Sequence, residues 1–168
     1  GALTGPHARD LLSEAGTNFP LGGDAFPHMS VRSGTVAGIE ARVMRVSYTG
    51  ETSYEINVPA GRAGELWDVL TRLGGQHGLV PIGIDGLNLL RLEKGYLHIG
   101  SDTDGTTTPL NIGWDHVLRR KTDFVGKRSL MRPVNQDPMR LQLVGLKAEG
   151  QAQIPIGAHA VCGKGKER

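Results

Sequence analysis

"VSYTGETSYEINVP", residues Val46–Pro59, alternates apolar and polar side chains on either side of a short turn and predicts a β-hairpin. Successive side chains of a strand point to opposite faces of a sheet. In the second arm, Tyr54 and Ile56 therefore share one face, and Glu55 and Asn57 share the other. A carboxylate in mid-strand, directly after a tyrosine, is the feature that the rest of the sequence has to explain.

The first arm extends into a longer predicted strand, "AGIEARVMRVSYTG", at residues 37–50. If Tyr48 pairs with Tyr54 across the hairpin, Ser47 lies opposite Glu55. The sheet then has one apolar and one polar face, which is typical of a half-buried antiparallel sheet.

Helical periodicity flanks the hairpin on both sides. The predicted helices are Thr4–Gly16, Ala60–Gly75, Gly83–Tyr96 and a short one within residues 122–131. Residues 17–35 predict a loop, and residues 140–150 predict another strand. Leucine lies on nearly every side of the Gly83–Tyr96 helix, which predicts that this helix is buried. Strands and helices in this irregular order favour the α+β class, an antiparallel sheet packed with helices.

Two details of the helices are also predicted. The apolar stripe of the Ala60–Gly75 helix consists of Leu66, Trp67, Leu70 and Leu73. Asp85 is the expected N-cap of the Gly83–Tyr96 helix.

The composition of the 168-residue chain limits its function class. A net charge of +2 with scattered basic residues does not favour nucleic-acid binding. No apolar run approaches the ~18 residues of a membrane span, and no signal peptide is predicted. The single cysteine, Cys162, excludes an internal disulfide framework and fits a reducing compartment. We therefore expect a cytoplasmic protein that binds neither membranes nor nucleic acid.

Familiar catalytic patterns are missing from the sequence. The six histidines lack metal-ligand spacing, so no metal site is predicted. Neither a G-x-S-x-G elbow nor a phosphate-binding P-loop occurs, and Cys162 is a weak candidate for a nucleophile. The absence of G-x-G-x-x-G argues against a flavin or nicotinamide site in this chain.

Glu55 is the best candidate for a binding carboxylate. A carboxylate accepts two parallel hydrogen bonds from an amino-N–C–N–H edge, and such charge-assisted pairs are strong. A flat heterocycle beside an aromatic ring would fit this arrangement. The alternative is that Glu55 is a solvated strand residue near Arg45, which would contribute under ~1 kcal/mol.

Two further features have both a structural and a functional interpretation. The loop "SDTDGTTTP", residues 101–109, either bonds its own backbone through Asp and Thr side chains or lines a cleft. Arg91 and Glu93 in "LRLEKG" are predicted to form a buried ion pair that anchors their helix.

Six motifs in order resemble one family. They are "TGPHARDLL", "RVSYTGETSYEINVP", "LWDVL", "GIDGLNLLRLEKGY", "GSDTDGTTTPLNIGWDHVL" and "KTDFVGKRSL". Together they resemble the folate-binding aminomethyltransferase family, whose type member is the glycine cleavage T protein. The variants "NLLRLEKGY", "KTDFVGKRSL" and "LQLVGL" are most similar to the C-terminal folate domain of the heterotetrameric sarcosine oxidase alpha subunit, and dimethylglycine dehydrogenase carries a similar module.

The resemblance implies a ligand and a site. In the family, the second glutamate of the "TGE-x-x-x-E-I" motif binds the pterin ring of tetrahydrofolate. Glu55 occupies that position in this chain. The resemblance therefore predicts a tetrahydrofolate site that comprises Glu55, Tyr54 and Tyr48. FAD, FMN and NAD are expected only in missing regions or in other subunits.

Two departures from the family pattern qualify this assignment. One branch places an arginine in the helix before "LRLE", where this chain has Leu87. The family's catalytic aspartate lies upstream of the "TGP" motif, so we expect no catalytic residue in this chain. Residues 1–138 are expected to form part of the folate domain, and residues 139–168 the start of a truncated C-terminal β-barrel domain.

The resemblance leaves three functions open. The first is the tetrahydrofolate-binding, one-carbon-transfer portion of a sarcosine oxidase alpha subunit, which would act on a methylated amine beside other subunits. The second is an aminomethyltransferase of the T-protein type. The third is a catalytically silent folate fold or subunit-interaction module.

Overall fold

We describe the chain from a computed structural model that covers residues 1–150, 153–155 and 157–158. The chain divides into an N-terminal unit, Gly1–Asp102, and a C-terminal unit, Thr103–Arg168. The boundary predicted after residue 138 stays a prediction. None of the helices in the described ranges is long and apolar enough to span a membrane.

The N-terminal unit is an antiparallel sheet with helices. Its four strands are β1 (Ala2–Thr4), β2 (Val31–Val36), β3 (Ile39–Met44) and β4 (Ser53–Asn57). They lie in the order β1-β4-β3-β2, and all neighbours are antiparallel. Its helices are α1 (Ala8–Ala15), α2 (Ala63–Gly74) and α3 (Ile84–Lys94), with 3-10 turns at Ala60–Arg62 and Gly75–His77. The α+β prediction is confirmed.

One side of the sheet, which we name the closed face, carries the hydrophobic core. Alternate residues of β3 and β4, such as Val43, Tyr54 and Ile56, are buried there with side chains of α1 and α2, including Leu12 and Leu66. The intervening residues form the opposite side, which we name the open face. It consists of Ala2, Thr4, Val31, Ser33, Thr35, Glu40, Arg42, Met44, Ser53, Glu55 and Asn57.

The hairpin between β2 and β3 was not predicted, because residues 17–35 were expected to form a loop. Its two-residue turn consists of Ala37 at φ 52° and Gly38 at φ 74°. Positive φ at both turn residues matches the right-handed twist of the paired strands. The prediction failed because Gly34 and the three polar residues Arg32, Ser33 and Thr35 interrupt the apolar pattern of "VRSGTV".

The predicted strand register between Tyr48 and Tyr54 is wrong. Met44 is the partner of Glu55, and Val43 is the partner of Ile56. The chain leaves the β3–β4 ladder after Met44, because Arg45 exchanges backbone hydrogen bonds with Met29 and Ser30 instead. Residues 45–52 therefore form a long connection rather than the end of a strand.

Helices α1 and α2 agree with the sequence pattern in position. Helix α1 ends at Gly16, whose φ of 84° suits a glycine, although it begins later than predicted because Thr4 belongs to β1. Leu66 is buried in α2, and Leu70 and Leu73 pack against the core. Trp67 was predicted to share this stripe, but it is 58% exposed, because it lies one residue away from the core-facing row.

Helix α3 does not have the predicted burial. Ile84, Leu89 and Leu92 are 66%, 58% and 62% exposed, and Arg91 is the helix residue that is buried. The period of a sequence determines which side chains share a helix face, but burial also requires a packing partner. Gly83, rather than the predicted Asp85, occupies the N-cap position.

The described part of the C-terminal unit consists mainly of turns. It contains 3-10 turns at Pro109–Ile112 and Asp115–Val117 and the short helices α4 (Lys127–Leu130) and α5 (Pro133–Gln136). Arg140 donates hydrogen bonds to the side-chain oxygens of Asn135 and Asn111, at 3.2 and 2.9 Å. These contacts tie α5 to the Pro109–Ile112 turn.

The strand predicted in residues 140–150 is wrong for this structure. Residues 141–148 have no regular secondary structure. This segment forms hydrogen bonds with Asn111 instead. The Asn111 side chain donates from Nδ2 to the backbone O of Leu141, and the backbone O of Asn111 accepts a hydrogen bond from the Leu143 amide. Cys162 and the expected continuation of a β-barrel lie outside the described residues.

Candidate functional site

Glu55 lies on the open face of β4, as the alternation of the strand predicts. Its cross-strand neighbours are Ala2 of β1 and Met44 of β3, and Asn57 follows on the same face. The side chain is partly exposed, and its carboxylate makes no hydrogen bond or ion pair within the described residues. The alternative of a solvated Glu55 near Arg45 gains no ion pair, since the Arg45 guanidinium donates to Phe26 O at 2.9 Å. The carboxylate is therefore available to a ligand.

Tyr54 lies on the closed face and points away from Glu55. Its side chain is fully buried, and its ring packs against Phe26 with centroids 5.8 Å apart. Arg9 Nε of α1 donates to the Tyr54 hydroxyl at 3.3 Å, and this bond raises the pKa of Arg9. The structure does not bring Tyr54 and Glu55 together on one surface. Any effect of Tyr54 on a ligand at Glu55 would act through the strand.

Tyr48 lies in the connection between β3 and β4 and contacts the segment after α3. Its hydroxyl donates to Leu97 O at 3.4 Å, and its ring meets the His98 ring edge-on with centroids 6.5 Å apart. The side chain is partly buried. Tyr48 thus links the end of β3 to residues 96–102, and its predicted contact with folate stays a prediction.

A buried ion pair that the sequence did not reveal holds residues 96–102 in place. Arg91 Nη1 donates to the Asp102 carboxylate and to Tyr96 O, the latter at 3.2 Å. The same Asp102 oxygen accepts the His98 amide at 2.8 Å. Because the Arg91 side chain is only 9% exposed, loss of Asp102 would leave a buried charge without its partner.

The predicted partner of Arg91 was Glu93, and this prediction is wrong. Residues two apart on a helix do not face each other, and the Glu93 side chain is exposed. Asp102 reaches Arg91 only because Gly95, at φ 76°, ends the helix and allows the chain to turn back. Sequence spacing alone carries no indication of this pair.

The polar loop is divided between the two units. Asp102 belongs to the Arg91 pair, whereas Asp104 bonds the local chain as the structural interpretation predicts. Its Oδ1 accepts the Thr106 amide and the hydroxyls of Thr106 and Thr107 at 2.8, 2.7 and 3.1 Å. The Thr106 hydroxyl, followed by the Thr106 amide and the Thr107 hydroxyl, lowers the pKa of Asp104 below its usual range. These contacts explain the aspartate and threonines of this loop as turn residues.

Leu87 and the potential metal ligands are the remaining candidates from the sequence. Leu87 is partly buried on α3, where one branch of the resembling family has an arginine. His77 Nε2 lies 2.8 Å from Glu14 Oε2, and His7 Nδ1 lies 3.6 Å from Asp10 Oδ2. Over residues 1–150, 153–155 and 157–158, no three His, Cys, Asp or Glu side chains cluster in a way that could hold a metal ion.

Comparison with known proteins places this geometry in context. The profile of the family described as "GCVT N-terminal domain" matches residues 2–122. The sarcosine oxidase subunit alpha of Corynebacterium sp. (strain P-1) is 37% identical over 94% of this chain and 17% of its own length. The aminomethyltransferase of Halothermothrix orenii is 33% identical over 99% of this chain and 45% of its own length.

A solved structure is similar as well. The glycine cleavage system aminomethyltransferase T from Bartonella henselae superposes with a TM-score of 0.65 at 28% identity, over 83% of this chain and 37% of that one. The chain thus spans less than half the length of each of these relatives.

Proposed function

Because the chain belongs to the GCVT N-terminal domain family, we propose that it is the tetrahydrofolate-binding portion of an enzyme that transfers one-carbon units. Within that class, we propose a sarcosine oxidase alpha subunit as the whole protein. The identity of 37% to such a subunit over 94% of this chain supports this choice. The observation that carries the binding proposal is the carboxylate of Glu55 on the open face, which makes no hydrogen bond or ion pair with a described residue.

The chemistry of Glu55 fits the pterin ring. An ionised carboxylate only accepts hydrogen bonds, and the amino-pyrimidine edge of a pterin presents two parallel donors. The Glu55 side chain has no competing partner among the described residues, so its oxygens are free to accept both. Met44 and Ala2 flank it with apolar surface on which a flat ring can pack.

The role of this chain in the reaction is positioning. Tetrahydrofolate, when bound, supplies a nucleophilic nitrogen that takes up the one-carbon unit and yields 5,10-methylenetetrahydrofolate. Glu55 would fix the orientation of the pterin ring, because a bidentate contact defines its plane as well as its position. A correctly oriented nucleophile lowers the barrier without any further chemical group from this chain. Tyr48 is proposed as a second ligand contact.

The rest of the activity belongs to the whole protein. We propose that oxidation of a methylated amine, sarcosine, takes place in other regions or subunits that carry FAD, FMN and NAD. The proton transfers of the folate site would use an aspartate outside this chain. Residues 1–138 would belong to the folate domain and residues 139–168 to a following β-barrel domain, in a cytoplasmic enzyme.

An aminomethyltransferase of the glycine cleavage type is the second candidate. The relatives from Halothermothrix orenii and Bartonella henselae, at 33% and 28% identity, favour it. Leu87 argues for the oxidase branch instead, or for weaker folate binding, since the arginine of the glycine-cleavage branch is absent. Both candidates use the same folate contact at Glu55.

A catalytically silent folate fold or subunit-interaction module is the candidate of another class. Titration of the purified chain with a stable reduced folate, followed by tryptophan fluorescence, separates it from the first two. We expect saturable binding, and we expect Glu55→Gln to weaken it by about tenfold or more, as the loss of a charge-assisted pair predicts.

Glu51→Gln is the matched control, because Glu51 is an exposed glutamate in the same hairpin and outside the strands. It should bind reduced folate like the wild type. Saturable binding that survives unchanged in Glu55→Gln would contradict the proposed contact. No binding by the wild type would favour the silent module.

A further inference from the structure

One segment of the C-terminal unit, Val117 to Val134, concentrates the positive charge of the chain. It contains six basic residues and one acidic residue, Asp123. Its net charge of +5 exceeds the +2 of the whole chain, so the remaining residues are net negative. A concentration of one sign of charge on a surface attracts partners of the opposite sign and raises their rate of encounter.

Five of the six cations of this segment are exposed. We name them the basic patch, which consists of Arg119, Arg120, Lys121, Arg128 and Arg132. Their side chains form no hydrogen bond or ion pair with any described residue. Asp123 does not neutralise them, because its carboxylate lies 3.4 Å from Nζ of Lys127, the sixth cation. The charges of the basic patch are therefore available to a partner.

Hydrogen bonds to backbone oxygens give the segment a defined shape. Lys127 Nζ donates to Arg120 O at 3.0 Å and to Thr122 O at 3.4 Å, which closes the loop that precedes α4. Asn135 Nδ2 donates to Ser129 O at 2.7 Å, which ties α5 to α4. Fixed turns thus present the basic patch, and Lys127 has a structural role in them.

Exposed apolar side chains lie among the cations. Val125 is fully exposed, and Met131 and Val134 are each 61% exposed. Four of the five residues of the basic patch are arginines. Arginine and methionine are enriched in protein–protein interfaces, whereas lysine is depleted there. This mixture of arginines and apolar side chains is typical of a surface that another protein covers.

Two other classes of anionic partner fit the segment less well. Nucleic acids are bound mainly through their phosphates, and such contacts would leave the apolar side chains unused. Proteins that bind a membrane surface commonly use a continuous amphipathic helix. Helices α4 and α5 contain four residues each, and a turn separates them.

We propose that the basic patch, together with Val125, Met131 and Val134, is a docking surface for an acidic surface of another protein. The arginines would bind Asp and Glu side chains of that protein, because a guanidinium matches a carboxylate with two parallel hydrogen bonds. The apolar side chains would be buried in the same contact. The proposal does not depend on the folate contact at Glu55, which belongs to the N-terminal unit.

Two synthetic peptides of equal length and charge test the docking surface on the full chain. One repeats Asp-Asp-Leu, the other repeats Asp-Asp-Ser, and fluorescence anisotropy at low ionic strength measures their affinities. The wild type should bind the leucine peptide about threefold or more tightly than the serine peptide, because leucine can contact Met131 and Val134. Met131→Ser should remove most of this preference. Arg119→Gln/Arg128→Gln should weaken the binding of both peptides by about fivefold or more, through the loss of two ion-pairing groups.

The matched control is Arg42→Gln/Arg72→Gln, which removes the same charge from two exposed arginines of the N-terminal unit. It should bind both peptides within about twofold of wild type, because charges far from a contact are screened. Equal losses in the two double variants would reflect net charge alone and would overturn the inference. Equal affinities of the wild type for the two peptides would do the same.

Two further probes test the other partner classes. One is a DNA duplex, and the other is a vesicle of phosphatidylglycerol and phosphatidylcholine. We expect the wild type to bind each of them more weakly than the leucine peptide. Tighter binding of either probe that is lost in Arg119→Gln/Arg128→Gln would assign the basic patch to that class and overturn the inference.

Discussion

The closed and open faces of the sheet are built from alternate residues of the same strands, yet along β3 and the end of β4 they differ sharply in burial. On β4, Tyr54 and Ile56 are 0% and 2% exposed, whereas their neighbours Glu55 and Asn57 reach solvent. A shift of one residue along the strand exchanges core for surface. Adjacent positions in the sequence can therefore serve stability and binding separately.

The side chains of the two faces contribute differently to the free energy of folding. Each large side chain buried on the closed face contributes about 1.5–3 kcal/mol through the hydrophobic effect. The open face has polar side chains such as Glu55 and Arg42 that no described residue satisfies. These side chains contribute little to folding, so a ligand can use them without competition from the fold.

The largest expected effect is on the closed face. Leu12→Ala removes a fully buried side chain of α1, and we expect a loss of about 2–5 kcal/mol in the free energy of unfolding, from lost burial and a residual cavity. Urea unfolding measures it. The control is Val31→Ala on the open face, where the side chain is 50% exposed and the loss should stay below about 1 kcal/mol. Similar losses from both variants would contradict the contrast between the faces.

A smaller effect separates stability from binding on β4 itself. Tyr54→Phe removes the hydroxyl that accepts from Arg9 Nε, and we expect a loss of about 0.5–1.5 kcal/mol in the free energy of unfolding. Its affinity for a reduced folate should stay within about twofold of wild type, because the ring faces the core. Glu55→Gln should instead leave the free energy of unfolding nearly unchanged and weaken the binding of a reduced folate by about tenfold or more. A Tyr54→Phe variant with normal stability and weakened folate binding would show instead that Tyr54 contacts the ligand.

The fold was predictable where local pattern decides it. The stripe of Leu66, Leu70 and Leu73 located α2, and the alternation around Glu55 assigned its face correctly. The register failed because the apolar alternation continues through Val46 and Tyr48 after the ladder has ended at Met44. Alternation in sequence does not reveal where a strand leaves its partner, since that depends on contacts with distant residues.

The site was predictable in part, for the same reason. The face of Glu55 could be predicted from its polar position in the strand, whereas its contact with folate stays a prediction that rests on the family resemblance. The pair of Arg91 and Asp102 was missed, because it forms only after Gly95 turns the chain back. Strand β2 was missed too, since its sequence "VRSGTV" has no sustained apolar alternation. Residues that meet through tertiary structure leave no periodic trace in the sequence.

The smallest expected effect tests the turn that joins β2 and β3 at the margin of both faces. Ala37 has a φ of 52°, which a residue with a Cβ adopts at a cost, and asparagine tolerates this region better. We expect Ala37→Asn to raise the free energy of unfolding by about 0.5–1 kcal/mol, since it creates the Asn-Gly sequence that favours this turn. The amide of residue 37 still donates to Gly16 O, so the packing of α1 should not change.

Gly38→Ala is the matched control and should destabilise the chain, because its φ of 74° then requires the strained conformation of an L-residue. Folate affinity should be the same in both variants, because neither face loses a side chain. A change in affinity that accompanies the change in stability would mean that the open face is not independent of the turn.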